Sequence, residues 1–206
     1  FSIYKNINFN NNSFKNKIWI HGVSVGEINI ALELIKKIRK KNNSVFFIIS
    51  TNTSTAYKIV EKEKHNDDIL IYFPFDIPVF INKSLKIINP QQILLIEGEF
   101  WPNLVLKAKK LNIPVHLINA RISNSSYKNY LLFKCFTKDI ISKISTISVQ
   151  SENDCKKFIK LGANKNSICV AGSMKFDLVK SSKSLPISSF FNTKFDLDKQ
   201  NKIFLM

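Results

Sequence analysis

Acidic residues stand at two points of the sequence where a predicted strand turns into a predicted helix. Glu27 follows the apolar run at residues 18–23, and Glu97 and Glu99 follow the apolar run at 93–96. The carboxyl ends of parallel strands meet at one edge of a sheet, and ligands bind beyond that edge. A carboxylate held there can take a proton from a substrate hydroxyl. The two segments therefore predict one site for acid–base chemistry.

The spacing around Glu27 also fits a purely structural role. Residues 24–27 read Ser-Val-Gly-Glu, which matches a capping box, where a serine accepts from an amide three residues later and the glutamate reaches back. Spacing alone favours capping, whereas the polar residues at other strand ends favour catalysis. Likewise, a helix beginning at Pro102 would stabilise nearby acids through its dipole, but this explains one of Glu97 and Glu99 better than both.

Polar residues follow three further predicted strands. Thr53 lies in the hydroxyl-rich turn at 51–55, which by default caps the next helix and could instead line a polar ligand site. Arg121 follows the strand at 115–118, where it could bind an anion or pair with a surface carboxylate, a pairing usually worth less than about 1 kcal/mol. Lys175 follows the last predicted strand.

Alternating buried strands and amphipathic helices predict an α/β fold with a parallel sheet covered on both faces. One helix is predicted over 126–142, and Asp76 is predicted to cap the helix that opens at Pro78. Gly162 is predicted to end a helix in the left-handed conformation. The strands are predicted at residues 18–23, 44–50, 69–73, 93–96, 115–118, 146–150 and 167–171.

Composition limits the possible partners. The chain has 206 residues and a net charge of +16, which alone would suit nucleic acid. However, Arg39 and Arg121 are the only arginines, the lysines are spread over predicted helix faces, and no known nucleic-acid-binding pattern accompanies them. Nucleic-acid binding is therefore disfavoured, whereas a basic surface also suits an anionic membrane. No apolar run reaches the roughly 18 residues of a membrane span.

Cysteines and histidines indicate neither a disulfide framework nor a metal site. Cys135, Cys155 and Cys169 show no CxxC spacing, so we expect small buried residues in a reducing compartment. His21 and His116 fall within predicted strands, where a satisfied core histidine is the expected role.

Four motifs occur in order along the chain: residues 22–27 (GVSVGE), 97–103 (EGEFWPN), 119–123 (NARIS) and 172–177 (GSMKFD). Together they resemble the 3-deoxy-D-manno-octulosonic acid (Kdo) transferases of lipopolysaccharide synthesis, over about residues 18–177. The resemblance implies the Rossmann-like N-terminal half of a GT-B glycosyltransferase. Its implied reaction moves Kdo from CMP-Kdo to a lipid A precursor, lipid IVA, with inversion, and it uses no cofactor and no catalytic metal.

The resemblance also implies roles for individual residues. Glu27 matches the proton acceptor, and Glu97 and Lys175 match stabilisers of the transition state. The departures from the family pattern are Gly22, Gly98, Phe100 and the pair at 173–174, all small or apolar exchanges that leave the charged groups in place. Substrate contacts are predicted for Ser24, Gly26, Thr53, Glu99, Asn119 and Arg121.

Composition and the resemblance together divide the chain into four parts, and the resemblance places it at the cytoplasmic face of the inner membrane. Residues 1–17 are expected to be a residual arm, 18–177 the acceptor-binding domain, 178–201 a linker, and 202–206 the start of a nucleotide-sugar domain. This stretch alone is then expected to be inactive. Two alternatives remain: a truncated, catalytically inactive acceptor-binding module and, least favoured, a basic nucleic-acid-binding domain.

Overall fold

The computed structural model describes residues 16–98 and 100–174, together with the backbone of two short strands near the C-terminus. Strands and helices alternate along the chain. They are β1 (Asn16–His21), α1 (Val25–Lys41), β2 (Val45–Thr51), α2 (Ser54–Glu63), β3 (Ile69–Tyr72), α3 (Pro78–Ile88), β4 (Gln92–Ile96), α4 (Pro102–Lys110), β5 (Val115–Ala120), α5 (Asn124–Leu132), α6 (Lys134–Ile141), β6 (Thr146–Val149), α7 (Glu152–Lys160) and β7 (Ile168–Val170).

The first seven strands form a single parallel sheet in the order β3-β2-β1-β4-β5-β6-β7. This confirms the predicted α/β fold with its Rossmann-like sheet. The strand order reverses between β1 and β4, because the chain moves outward in one direction from β1 to β3 and in the other direction from β4 to β7. A reversal of this kind opens a crevice at the carboxyl ends of the two central strands.

Helices cover both faces of this sheet, as the sequence predicts. Successive side chains of a strand point to opposite faces, so Ile18 and Ile20 of β1 pack with Ile28 of α1, while Trp19 packs in a second cluster that includes Leu104 of α4. Full burial of one such side chain stabilises the fold by about 1.5–3 kcal/mol. The helices α1 and α2 contribute to the first cluster, and α3, α4, α6 and α7 to the second.

The predicted single helix at 126–142 is wrong, because the chain forms two helices that meet at Phe133. Phe133 has φ −108° and ψ 40°, outside the helical region. The hydroxyl of Thr137 donates to the carbonyl of Tyr130 at 3.1 Å and so satisfies an acceptor at the end of α5. Side-chain competition for a backbone group of this kind is not visible in apolar periodicity.

The predicted cap on α3 is also wrong. The N-cap of α3 is Ile77, which makes no side-chain cap bond. The Asp76 carboxylate instead accepts from the amides of Asn103 at 3.0 Å and Leu104 at 2.9 Å, so it caps α4. The amides at the N-terminus of α4 are therefore satisfied from another part of the chain.

Other predictions of local structure have mixed outcomes. Gly162 has φ +112°, which confirms its left-handed conformation. Cys135 is exposed and Cys155 and Cys169 are partly exposed, so the prediction that the cysteines are buried is wrong for Cys135.

No helix within the described residues is long and apolar enough to cross a membrane. Phe195–Asp196 and Phe204–Leu205 form an antiparallel pair, and the four-part division of the chain stays a prediction.

His21 and His116 are both buried within strands, as predicted. The Nδ1 atom of His21 lies 3.0 Å from the Ser50 carbonyl oxygen, and Nδ1 of His116 lies 2.7 Å from the Thr146 hydroxyl. Burial lowers the pKa of each imidazole to about 3, and for His21 the backbone contact opposes the shift. Both rings are therefore neutral in the folded protein at physiological pH.

This neutrality predicts a loss of stability in mild acid. Because the folded pKa of each histidine is lowered, the unfolded chain binds more protons below about pH 6.5. We expect the free energy of unfolding to fall by about 2 kcal/mol per histidine between pH 7 and pH 5. Urea denaturation at several pH values measures this slope. His116→Phe should flatten the slope by about half, and an unchanged slope would contradict the assignment.

Candidate active site

The Glu27 carboxylate is fixed at the junction between β1 and α1. Its Oε2 accepts from the Val23 amide at 2.7 Å and its Oε1 accepts from the Ser24 hydroxyl at 3.0 Å, while the Glu27 amide donates to the Ser24 oxygen at 3.2 Å. The capping interpretation is therefore confirmed. Each carboxylate oxygen has two lone pairs, so capping leaves acceptor capacity on both oxygens.

The loop that carries this carboxylate is braced from the next strand. The Val23 carbonyl accepts from the hydroxyls of Thr51 at 3.3 Å and Thr53 at 3.2 Å. Thr53 also caps α2, because its hydroxyl oxygen accepts from the Ala56 amide at 3.3 Å. Its observed contacts thus match the default capping role, and its predicted contact with substrate stays a prediction.

Glu97 lies in the turn after β4 with a backbone that residues other than glycine rarely adopt. Its φ is +64°, in the left-handed region, and only 5% of its surface is exposed. Its Oε2 accepts from Nε of Arg121 at 3.0 Å, and the Arg121 side chain is 58% exposed. Strained backbone at a buried acid is typical of functional sites. The cap of α4 is supplied by Asp76, and the helix-dipole account of Glu97 and Glu99 stays a prediction.

Gly98 explains one departure from the family pattern. A Cβ atom added to Gly98 would lie 2.7 Å from the Arg121 carbonyl oxygen, closer than real Cβ contacts allow. The turn after β4 and the end of β5 therefore approach each other through a glycine. This close approach brings Arg121 beside Glu97.

Glu27, Glu97 and Arg121 line one cavity of about 520 Å³ at the carboxyl edge of the sheet. The far wall consists of polar and aromatic residues that the site prediction missed: Ser126, Tyr130, Gln150 and Asp154. Asp154 repeats the arrangement of Glu27, because Ser151 caps α7 and donates to the Asp154 carboxylate at 2.5 Å. The same strand-end rule, applied to β6, could have indicated Gln150 and Asp154.

The buried side chain of Asn119 makes a structural hydrogen bond. It is 1% exposed, has φ +57° and lies within an irregularity of the β5–β6 pairing. Its Oδ1 accepts from the Met174 amide at 3.0 Å, which ties β5 to the residue that precedes Lys175 in the sequence. Its predicted contact with substrate stays a prediction.

The remaining predicted residues divide into two groups. Ser24 is the N-cap of α1 and Gly26 lies in its first turn, so both lie beside Glu27. Ser24 is exposed and Gly26 is half-buried. Lys175 and Glu99 lie outside the described residues, and their predicted roles stay predictions. Two of the three predicted catalytic side chains, those of Glu27 and Glu97, are therefore brought to one cavity.

The cavity can act on hydroxyl groups and on positive charge. Residues at the N-termini of α1, α5 and α7 line it, namely Glu27, Ser123 and Asp154. Each of these helices has a capping serine: Ser24, Ser123 and Ser151. Such ends attract negative groups, whereas the carboxylates of Glu27, Glu97 and Asp154 attract protons and developing cations. No cluster of three or more histidine, cysteine, aspartate or glutamate side chains suited to a metal occurs in the part of the chain that the structure describes.

Comparison with known proteins agrees with the motif resemblance. A family model for 3-deoxy-D-manno-octulosonic-acid transferase (kdotransferase) matches residues 1–178. The bifunctional glycosyltransferase/methyltransferase of Fusobacterium nucleatum is 37% identical over 166 residues, which cover 78% of this chain and 25% of that protein. The 3-deoxy-D-manno-octulosonic acid transferase of Rickettsia conorii is 33% identical over 185 residues, covering 90% and 38%. The chain thus spans well under half the length of both relatives.

A solved structure shares the fold. UDP-GlcNAc 2-epimerase from Neisseria meningitidis, bound to UDP-GlcNAc, matches with a TM-score of 0.59 and 15% identity, covering 87% of this chain and 52% of that chain. At this identity the likeness shows the fold alone, which is a Rossmann-like parallel sheet with helices on both faces.

The left-handed backbone at Glu97 predicts an unusual order of stability. Glu97→Gly and Glu97→Ala both remove the carboxylate, but only glycine adopts φ +64° without steric cost. We expect Glu97→Gly to be more stable than Glu97→Ala by about 1 kcal/mol, measured by urea denaturation.

Asn42 provides the matched control for this comparison. It ends α1 with φ −145°, where alanine is expected to be at least as stable as glycine because it restricts the unfolded chain. Equal stability of the two Glu97 variants would contradict the left-handed conformation.

Proposed function

Because the chain belongs to the 3-deoxy-D-manno-octulosonic acid transferase family, we propose that it forms the acceptor-binding half of an enzyme of lipopolysaccharide synthesis. The enzyme moves Kdo from CMP-Kdo to the lipid A precursor lipid IVA. The observation that carries this proposal is the cavity shared by Glu27 and Glu97 where the strand order reverses. The enzyme acts at the cytoplasmic face of the inner membrane, where a soluble donor can meet a lipid acceptor.

Glu27 is the proton acceptor in this proposal. A sugar hydroxyl is a weak nucleophile, and a positioned general base contributes about 10²- to 10⁴-fold to the rate. The Val23 amide and the Ser24 hydroxyl hold the Glu27 carboxylate in one orientation, which supports this role. The acceptor oxygen loses its proton to Glu27 as it attacks the anomeric carbon of Kdo.

Glu97 and Lys175 stabilise the charges that develop in the same step. As the bond from the anomeric carbon to CMP breaks, that carbon gains oxocarbenium character, which a carboxylate stabilises. Arg121 holds the Glu97 carboxylate at 3.0 Å, which supports a fixed position for this charge. Lys175 offsets charge on the departing phosphate or on the Kdo carboxylate. Attack on the face opposite the leaving group produces inversion.

The other predicted contacts complete the acceptor half. Ser24, Gly26, Thr53, Glu99 and Asn119 are assigned to binding or positioning the acceptor.

The proposal is tested with protein expressed from the complete coding sequence. Transfer of radiolabelled Kdo from CMP-Kdo to lipid IVA is expected, and nuclear magnetic resonance of the product should show an inverted anomeric centre. Binding of lipid IVA without any transfer would instead identify an inactive acceptor-binding module and would refute the enzymatic proposal.

Glu27→Gln separates capping from catalysis. Glutamine at this position still completes a capping box, but it cannot accept a proton as a carboxylate does. We expect kcat/KM to fall about 10²- to 10⁴-fold, while the free energy of unfolding changes by less than about 1 kcal/mol. Steady-state kinetics and urea denaturation measure the two quantities on the same preparation.

Glu33→Gln is the matched control, because Glu33 lies in the same helix and is not among the residues that line the cavity. It undergoes the same chemical change and should keep wild-type kinetics. Near wild-type activity of Glu27→Gln would leave helix capping as the whole role of Glu27.

A further inference from the structure

Six consecutive residues are exposed where α5 meets α6. This segment, residues 131–136 (LLFKCF), is here called the α5–α6 corner. Leu132 is 78% exposed, Phe133 70% and Phe136 56%, and α5 has no fully buried residue. Large apolar side chains exposed side by side mark an interaction surface, whereas single ones do not.

Lysines surround the apolar residues of the corner. Lys128, Lys134 and Lys138 are all exposed, and the acidic neighbour Asp139 is paired with Lys143. Aromatic and aliphatic side chains flanked by lysines are the composition of segments that lie in the interface of an anionic bilayer. The charge and the apolar surface therefore fit one partner.

A second exposed apolar segment has no lysine within it. Phe75 is 77% exposed and Val79 71%, but residues 72–80 contain no lysine. Their single acid, Asp76, caps α4. Lys83 and Lys86 follow this segment on α3, so it has two lysines on one side, whereas the corner has one lysine within it and one on each side.

The corner is continuous with the candidate active site. Tyr130 lines the cavity and directly precedes the corner in the sequence, and Ser126 lines the cavity one turn earlier on α5. We propose that the α5–α6 corner inserts into the surface of an anionic bilayer and thereby holds the cavity beside a lipid acceptor that stays embedded. The proposal rests on the lipid acceptor proposed above, but docking itself can be measured without any transfer.

Cys135 provides a local probe of docking. It is exposed within the corner, so a nitrobenzoxadiazole label can be attached there in the complete protein after Cys155, Cys169 and any cysteine outside these 206 residues have been replaced by serine. Vesicles containing phosphatidylglycerol should raise and blue-shift its fluorescence, and lipids with a quencher on the acyl chain should quench it. Pure phosphatidylcholine vesicles should have at most a small effect.

Leu111 gives the matched control site. It is 46% exposed beside Lys109 and Lys110, but it lies at the end of α4, at the opposite edge of the sheet. The same label at Leu111→Cys, with Cys135→Ser, should not respond to vesicles. An equal response at both sites, a response at Phe75→Cys instead, or no response at Cys135 would overturn the proposal.

The double variant Leu132→Ser and Phe133→Ser links docking to catalysis. We expect vesicle affinity to fall at least about tenfold and transfer to vesicle-embedded lipid IVA to fall with it. Transfer to detergent-dispersed acceptor should be unchanged, because neither residue lines the cavity. Equal loss in both assays would refute a docking role. If no transfer occurs under any condition, the proposed function fails, while the fluorescence of the label still decides whether the corner docks.

Discussion

The reversal of strand order between β1 and β4 is the constraint on which the site depends. The two strands are hydrogen-bonded neighbours, but α1 packs on one face of the sheet and α4 on the other. The segments that leave β1 and β4 therefore diverge, and the space between them cannot be filled by either helix. Glu27 reaches this space from the first turn of α1, and Glu97 reaches it from the turn after β4.

Helix capping and chemistry are combined at this edge. The hydrogen bonds that cap α1 also fix the Glu27 carboxylate, so the structural role supplies the positioning that a general base needs. The opposite arrangement holds at α4, where Asp76 satisfies the first amides. Glu97 instead pairs with Arg121, in a backbone conformation that costs free energy and is maintained by its buried surroundings.

The sequence predicts the parallel sheet and two acids at its edge because both follow from local patterns. Apolar runs identify the strands, and the polar residue after each run is aimed at the shared edge. What it does not predict depends on contacts between distant segments. The cap from Asp76 to α4 spans 28 residues, and the hydrogen bond from the Met174 amide to Asn119 spans 55.

The charge of the outer surface, which can attract substrates, is opposite in sign to the charge of the cavity, where the reaction is proposed to occur. The whole chain carries a net charge of +16, but the described residues that line the cavity include three carboxylates, on Glu27, Glu97 and Asp154, and a single cation, Arg121. A polyphosphate backbone would be repelled from such a wall, whereas an electron-deficient carbon would be stabilised beside it. The lysines of the outer helix faces act at longer range and draw anionic partners toward the protein. An acidic cavity on a basic protein therefore suits a reaction in which anionic substrates meet at the rim and positive charge develops only at the reacting carbon.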